Sequence, residues 1–230
     1  MRRLIALGAA AALLAAAPAA TAAKAPKPAM VFEDPADDAG NQGTALPGAS
    51  EGGFDLIKGE IVKKGKNLEF VVTHKTMPST GTLPEGFRFL WHFTVDGEDY
   101  RFTAKSADIG KPDVLAQSGT DRIGQVDTDG HFRLEQCVDE PLPAVLTLIN
   151  CRPVEYLEGS FDPDAASFTI VLPLALVKAK KGTSIGGAAS GAAASGCQIC
   201  WVPHYAERSL TPHTIIDAAA MSVVYKVPKK

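Results

Sequence analysis

The alternation of residues 87–95 constrains the fold more than any other feature of the sequence. Phe87, Phe89, Trp91, Phe93 and Val95 alternate with Arg88, Leu90, His92 and Thr94. A period of two is that of a β-strand, and it places the aromatic side chains on one face. Asp96-Gly97 then separates this run from Tyr100–Thr103. An Asp-Gly pair between two such runs predicts a hairpin with a type I′ turn.

Further short strand signals follow along the chain and predict an all-β fold. They cover residues 54–62, 68–74, 132–135, 145–149, 154–161, 167–172 and 221–227. Helix signals are confined to residues 173–177 and 211–218. Short strands with turn residues between them are typical of a sandwich or barrel. We therefore predict one antiparallel β-sandwich over residues 31–228, Ig-like or jelly-roll-like, with long loops and little helix.

The N-terminus has the pattern of a secretory signal peptide over residues 1–22. Arg2 and Arg3 precede an apolar run, residues 4–17, and a small-residue cleavage pattern, residues 20–22, follows. We expect a secreted, extracellular protein with a flexible linker at residues 23–30 and no membrane span after cleavage. Cleavage would change the formal charge from −3 to −5. An acidic chain whose sequence has no basic cluster is a poor candidate for nucleic-acid binding.

All four cysteines follow the predicted cleavage site, where the compartment is oxidising and disulfides are expected. We predict that Cys137 pairs with Cys151 across a turn at residues 138–143, and that Cys197 pairs with Cys200. Crosslinks between the two pairs are the competing arrangement. A zinc site that joins Cys197 and Cys200 to His204 and His213 is a further alternative. A Gly/Ala/Ser-rich insertion, residues 182–196, precedes the second pair.

Four aspartates form the candidate metal site. Asp34, Asp37 and Asp38 share a short loop, and Asp55 lies where the following strand begins. Ca²⁺ takes six to eight oxygen ligands, and loops rich in Asp supply them. Asp also favours turns because its side chain bonds the local backbone, so a solvated acidic turn is the alternative.

Three parts of the chain together resemble a group of secreted bacterial β-sandwich domains. They are residues 32–40 with 53–56, residues 157–162 with 168–173, and residues 217–219 with 224–227. The group includes the calcium-binding C-terminal domain of glucodextranase-type enzymes and the family nine carbohydrate-binding modules, and it shades into the DOMON-like fold. The resemblance implies the fold and a bound metal, and it leaves the ligand open. The Gly/Ala/Ser tract and the Cys-x-x-Cys segment depart from the group's pattern.

The remaining candidates concern ligand binding. Trp201 and Tyr205 lie in one predicted loop and are candidate sugar-stacking residues. Trp201 can equally be a hydrophobic plug at the end of the sandwich. Trp91 is interpreted as a core residue. The five histidines are interpreted as ordinary surface or strand residues, because no nucleophile motif such as G-x-S-x-G accompanies them.

The predicted function is therefore a secreted, non-catalytic binding module, stabilised by Ca²⁺, for carbohydrate or a cell-surface partner. One alternative is a DOMON-like haem or redox domain, which needs an axial Met/His pair, and Met77 with one of the histidines is its candidate. The other is a structural surface protein without a small ligand.

Overall fold

The computed structural model describes residues 27–39, 54–76, 87–105, 132–141, 147–187, 197–203 and 217–228. Several predicted features lie outside these residues: the signal peptide, Met77, the tract after Gly187, Tyr205, and the histidines His131, His204 and His213. The described strands pair antiparallel throughout and form two sheets. The prediction of an all-β sandwich with little helix is thus confirmed.

The described residues form thirteen strands in chain order. They are β1 (Ala29–Glu33), β2 (Leu56–Lys64), β3 (Asn67–His74), β4 (Phe87–Val95), β5 (Glu98–Lys105), β6 (Phe132–Pro141), β7 (Thr147–Leu157), β8 (Gly159–Asp162), β9 (Ser167–Pro173), β10 (Ser184–Gly187), β11 (Ile199–Pro203), β12 (Asp217–Ala219) and β13 (Tyr225–Lys226). The smaller sheet has the order β1-β2-β3-β9-β8, and the larger has the order β12-β11-β4-β5-β6-β7. β10 pairs with β4 and with β13.

Two short strands lie end to end along one edge of β4. Gly187 of β10 is opposite Phe93, and Ile199 of β11 is opposite Trp91. Between them, the His92 N–H donates to the Gln198 carbonyl at 2.7 Å. The chain therefore leaves this edge at Gly187 and returns at Gln198, one rung further along the ladder.

The core lies between the two sheets and is rich in aromatic rings. The ring of Phe70 on β3 lies 5.1 Å from that of Trp91 on β4 and 4.8 Å from that of Phe102 on β5. Phe168 on β9 lies 5.1 Å from Phe89. All five rings are buried, which confirms that the aromatic face of residues 87–95 faces the core.

The opposite face of β4 is also buried. Arg88 and His92 are each 2% exposed, although they alternate with the core aromatics. Beside them in the same sheet, Glu135 accepts hydrogen bonds from the Arg101 guanidinium, and both residues are buried. Leu90 packs in a second apolar cluster with Cys197, which precedes β11, and with Cys200 and Val202 of β11. The alternation thus predicts the strand but not the burial of both its faces.

Strands extend into both the predicted linker, residues 23–30, and the predicted insertion, residues 182–196. β1 begins at Ala29, inside the predicted linker, because Ala29 pairs with Ile61 of β2. The predicted insertion begins at residue 182, yet β10 is ordered between β4 and β13, and its Ile185 is fully buried. The boundaries of both segments are therefore wrong, because strand pairing fixes residues whose own composition is typical of loops.

The predicted strand over residues 154–161 is two strands in different sheets. β7 ends at Leu157, and β8 begins at Gly159. A Cβ atom at Gly159 would lie 2.5 Å from the Phe132 ring and 2.7 Å from the Thr169 carbonyl oxygen. Glycine is therefore required where the chain crosses between the sheets.

Other predicted boundaries also change. β6 continues to Pro141 through the predicted turn at residues 138–143, and Asp217 and Ala218 belong to β12 instead of a helix. Of the predicted last strand, only Tyr225 and Lys226 are paired.

The cysteines pair as predicted, Cys137 with Cys151 and Cys197 with Cys200. Cys137 and Cys151 lie directly opposite each other on β6 and β7. The second disulfide leaves no thiolate at these positions for the alternative zinc site. Among the described residues, no helix has the length and apolar character needed to cross a membrane.

Candidate metal centre

Three carboxylates meet at one end of the sandwich. One oxygen from each of Asp34, Asp38 and Asp217 lies within 4.8 Å of the other two. Asp34 follows β1, Asp38 follows the turn after it, and Asp217 begins β12 in the other sheet. The group therefore joins residues that are remote in sequence and belong to both layers.

The backbone holds the loop after β1 against the start of β2. The Asp34 N–H donates to the Ile57 carbonyl at 2.9 Å, which extends the pairing of the two strands. Asp37 has a φ of 74°, and its N–H donates to Asp55 Oδ2 at 2.7 Å. Asp tolerates this left-handed conformation better than most residues, and the turn brings Asp38 back towards Asp34.

Asp217 reaches the group from the other sheet. Its Oδ2 accepts the Leu56 N–H at 2.5 Å, and its Oδ1 accepts the Ala218 N–H at 2.8 Å. Asp217 lies opposite Trp201, and directly opposed side chains share one face of a sheet. Because Trp201 is in the core, the Asp217 carboxylate lies at the end of the interior, where it is 1% exposed.

The carboxylates repel one another in a poorly solvated place. Burial, together with the charges of Asp38 and Asp55, raises the pKa of Asp34 to about 7. Burial raises the pKa of Asp217 to about 8, and the charges of Asp34 and Asp38 add to the effect. Burial also raises the pKa of Asp55. Each shift means that the ionised carboxylate is disfavoured unless a positive charge joins it.

Several carboxylate oxygens at this end have no hydrogen-bond partner among the described residues. They are Asp34 Oδ2, Asp38 Oδ1 and Asp55 Oδ1, and all three atoms are buried. Asp55 is 2% exposed, and its charge acts on Asp34. Buried polar atoms normally have partners, so these unsatisfied carboxylate oxygens mark a place that could hold a cation.

The donor set fits a hard cation. All the donors are carboxylate oxygens, which Ca²⁺ and Mg²⁺ prefer, and Ca²⁺ binds oxygen at about 2.4 Å. Two oxygens that share such an ion are separated by at most about 4.8 Å, and the three carboxylates satisfy this limit. Asp34, Asp38 and Asp217 would hold the ion, with Asp55 beside them.

The four predicted ligands have different surroundings. Asp34 and Asp38 belong to the group, and Asp55 supports it through Oδ2 and its charge. The side chain of Asp37 forms an ion pair with Lys75. Asp217 was not among the predicted ligands, although its segment is part of the family resemblance. No spacing rule connects it to a loop more than 160 positions earlier in the chain.

The prediction that Trp201 is an exposed sugar-stacking residue is wrong. Its side chain is 0% exposed, and its ring lies 5.0 Å from Phe54 and 5.5 Å from Phe89. Its indole N–H donates to His74 Nε2 at 3.0 Å. The alternative, an apolar plug at the end of the sandwich, describes its position.

His74 is a buried polar partner that the sequence did not reveal. It is 2% exposed and lies at the end of β3, opposite Leu56 of β2. Burial lowers its pKa to about 3, so the ring is neutral and accepts the indole proton of Trp201 at Nε2. His92, on the other face of the larger sheet, also has a pKa lowered to about 3, by burial and by the charge of Arg101.

Comparison of the chain with protein families, curated proteins and solved structures gives no match.

Proposed function

We propose that the chain is an exported, non-catalytic binding module whose sandwich is held closed at one end by Ca²⁺. The observation that carries the proposal is the group of Asp34, Asp38 and Asp217, whose oxygens lie within 4.8 Å of one another. An ion there would connect the loop after β1 to the first residue of β12. It would thereby join the two layers at the place where the Leu56 N–H already donates to the Asp217 carboxylate.

A structural role suits this site better than a catalytic one. Asp34 and Asp38 are partly buried, and Asp217 is fully buried, so the ion would be largely enclosed. The buried base His74 already accepts the Trp201 indole proton and has a pKa of about 3. Such a group is a poor general base at neutral pH.

The ligand class rests on the family resemblance and on predicted export. Both favour carbohydrate or a cell-surface partner outside the cell. The disulfides Cys137–Cys151 and Cys197–Cys200 are consistent with an oxidising compartment. A glycan array probed with the calcium-loaded protein tests the carbohydrate part separately from the metal part.

Calcium binding is tested by thermal unfolding after exhaustive chelation, with and without added Ca²⁺. At a hundredfold excess over Kd, one ion stabilises the folded state by about 2.7 kcal/mol. For a chain of this size we expect a rise in Tm of roughly 5–10 °C. Mg²⁺ should act more weakly, because it binds poorly to sites that replace most of its water ligands.

Single neutralisations locate the effect. Asp217→Asn and Asp34→Asn should each remove most of the calcium-dependent rise in Tm. Asp164→Asn is the matched control, because Asp164 is an exposed residue of the β8–β9 turn. A Tm that is indifferent to Ca²⁺ in the parent protein contradicts the proposal, as does an equal calcium response in all three variants.

A further inference from the structure

The end of the sandwich opposite the metal centre, which we call the lysine end, carries a cluster of lysines from distant parts of the chain. They are Lys27, Lys63, Lys64, Lys66, Lys178, Lys180, Lys181 and Lys226. Lys63 is partly buried, and the other seven are exposed. Lys229 and Lys230 follow immediately after the last described residue. The fold therefore gathers two short basic runs, residues 63–66 and 178–181, with Lys27 and Lys226 into one basic cluster.

Backbone contacts show that these lysines share one end. Lys64 and Lys66 flank Gly65 in the turn between β2 and β3. The Leu174 N–H donates to the Lys66 carbonyl at 3.0 Å, so the turn that carries Lys178 begins at this hairpin. The Gly182 N–H donates to the Val227 carbonyl at 2.9 Å, which joins the segment of Lys180 and Lys181 to β13.

The first strand brings Lys27 to the same place. Ala29 pairs with Ile61, so Lys27 lies beside the end of β2 that carries Lys63. The Tyr225 hydroxyl bonds the backbone of Lys63, which fixes β13 and its Lys226 against β2.

The positive charge at the lysine end is only partly balanced. The acidic residues described at or beside this end are Glu69, Asp96, Glu98, Asp99 and Glu158. Glu60, which forms an ion pair with Lys58, lies opposite Met30 of β1. Glu69 pairs with Lys64 at 2.7 Å, and Asp96 accepts hydrogen bonds from Thr183 and Ser184. Within the described part of the chain, the other seven lysines have no ion pair. An excess of exposed positive charge remains and favours an anionic partner.

Exposed apolar side chains lie next to these lysines. The Ser222 N–H donates to the Val31 carbonyl at 2.7 Å, which holds the segment before β13 against β1. Met30 is 46% exposed on one side of this contact, and Val223 and Val224 are 51% and 54% exposed on the other. These three residues, which we call the apolar seam, are the majority of the five large apolar residues found exposed in the described chain.

We propose that the lysine end and its apolar seam bind an anionic lipid surface. Lysines near such a surface gain affinity from its negative potential, and adjacent apolar side chains enter the boundary between headgroups and acyl chains. A soluble polyanion would use the lysines and leave Met30, Val223 and Val224 in water. The seam therefore favours a membrane over an anionic polysaccharide or nucleic acid. This surface is separate from the metal centre and does not depend on it.

The test is co-sedimentation of the protein with vesicles of phosphatidylcholine and phosphatidylglycerol at a ratio of about 7:3 and about 0.1 M salt, where screening still leaves attraction at short range. Neutral phosphatidylcholine vesicles measure any binding through the apolar N-terminal run, which every variant carries. Lys180→Glu/Lys181→Glu should weaken binding to the anionic vesicles at least about 25-fold, since each lysine contributes about fivefold. Val223→Ser/Val224→Ser should weaken it about tenfold.

Matched controls make each outcome decisive. Lys58→Glu/Arg152→Glu makes the same change in charge on exposed or half-exposed residues away from the lysine end, and Val154→Ser removes an exposed apolar side chain on β7. Both should bind like the parent protein, and circular dichroism should show that every variant is folded. Absence of binding to anionic vesicles overturns the proposal. It is also overturned if the valine variant binds normally while heparin or DNA competes away all vesicle binding, since the surface then serves a soluble polyanion.

Discussion

The two ends of the sandwich concentrate charge of opposite sign in different surroundings. At the candidate metal centre, Asp34, Asp38 and Asp217 are partly or fully buried, and two of their oxygens have no partner among the described residues. At the lysine end, all but one of the eight lysines are exposed. Water screens like charges at an exposed surface, whereas a buried cluster requires a counter-ion or protons. The carboxylates therefore need protons or a cation to share their charge, whereas the lysines need only water.

We expect the greatest effect in the pH dependence of the folding stability of the calcium-free protein. Folding raises the pKa of Asp34 from 3.8 to about 7 and that of Asp217 from 3.8 to about 8. The folded state thus binds more protons than the unfolded state above pH 4, and its stability falls as the pH rises through this range. Between pH 6.5 and 8.5 the loss should be about 2–3 kcal/mol.

The measurement is chemical unfolding in chelator at pH 6.5, 7.5 and 8.5. Added Ca²⁺ should abolish the slope, and Asp34→Asn/Asp217→Asn should abolish it without the ion. Asp164→Asn should leave the slope unchanged. If stability in chelator is flat over this range, the carboxylates are not in the electrostatic environment described here.

The second effect tests whether burial disfavours the charged form of a buried histidine, as it does for the buried aspartates. Folding lowers the pKa of His74 from 6.5 to about 3, so the unfolded state binds the extra proton between these values. Stability is therefore complete above pH 6.5 and is lost as the pH falls. At pH 5 the loss from His74 should be about 2 kcal/mol.

His74→Gln keeps an oxygen that can accept the Trp201 indole proton and removes the titration. Its unfolding free energy should fall about 2 kcal/mol less than that of the parent between pH 7 and pH 5. His92→Gln should behave similarly, because burial lowers the pKa of His92 to the same extent. If the unfolding free energy of both variants falls with pH as steeply as that of the parent, the pKa values of the two histidines are not lowered by folding.

The smallest expected effect lies at the lysine end. Lys180→Glu/Lys181→Glu changes the charge more than either aspartate substitution, yet both side chains are exposed. Its Tm should stay within about 2 °C of the parent value at any salt concentration above about 0.1 M. A large shift in Tm would mean that these lysines support the fold, and the contrast between the two ends would fail.

The sequence predicts what is local and misses what the fold assembles. β4 is found over the predicted residues 87–95, and the pairing of Cys137 with Cys151 follows from two adjacent strands. Period-two alternation and turn residues are properties of short segments, so they survive without tertiary information. The alternation does not predict that His92 is buried, since that depends on what covers the second face of the sheet.

The metal centre was partly predictable for the same reason. Asp34 and Asp38 are four positions apart, and their loop composition is typical of a calcium site. Asp217 joins them only because β12 lies against the start of β2. The lysine end was not predicted, because its short basic runs come from separate segments that only the fold brings together. The position of Trp201 was predicted wrongly because a tryptophan after a Gly/Ala/Ser-rich tract is typical of a loop. The pairing of β11 with β4 directs its side chain into the core.

Because β10 and β11 lie end to end along β4, the connection between them is a suitable site for inserting another peptide or domain. Gly187 and Gln198 occupy neighbouring rungs, so the chain between them has to close a gap of only one step. The Gln198 side chain holds the two ends of this segment together. It occupies the space that a Cβ at Gly187 would fill, and its Oε1 accepts the Met221 N–H. A reporter peptide or a whole domain with adjacent termini can be spliced between these residues, because the cost of closing a loop grows only slowly with its length.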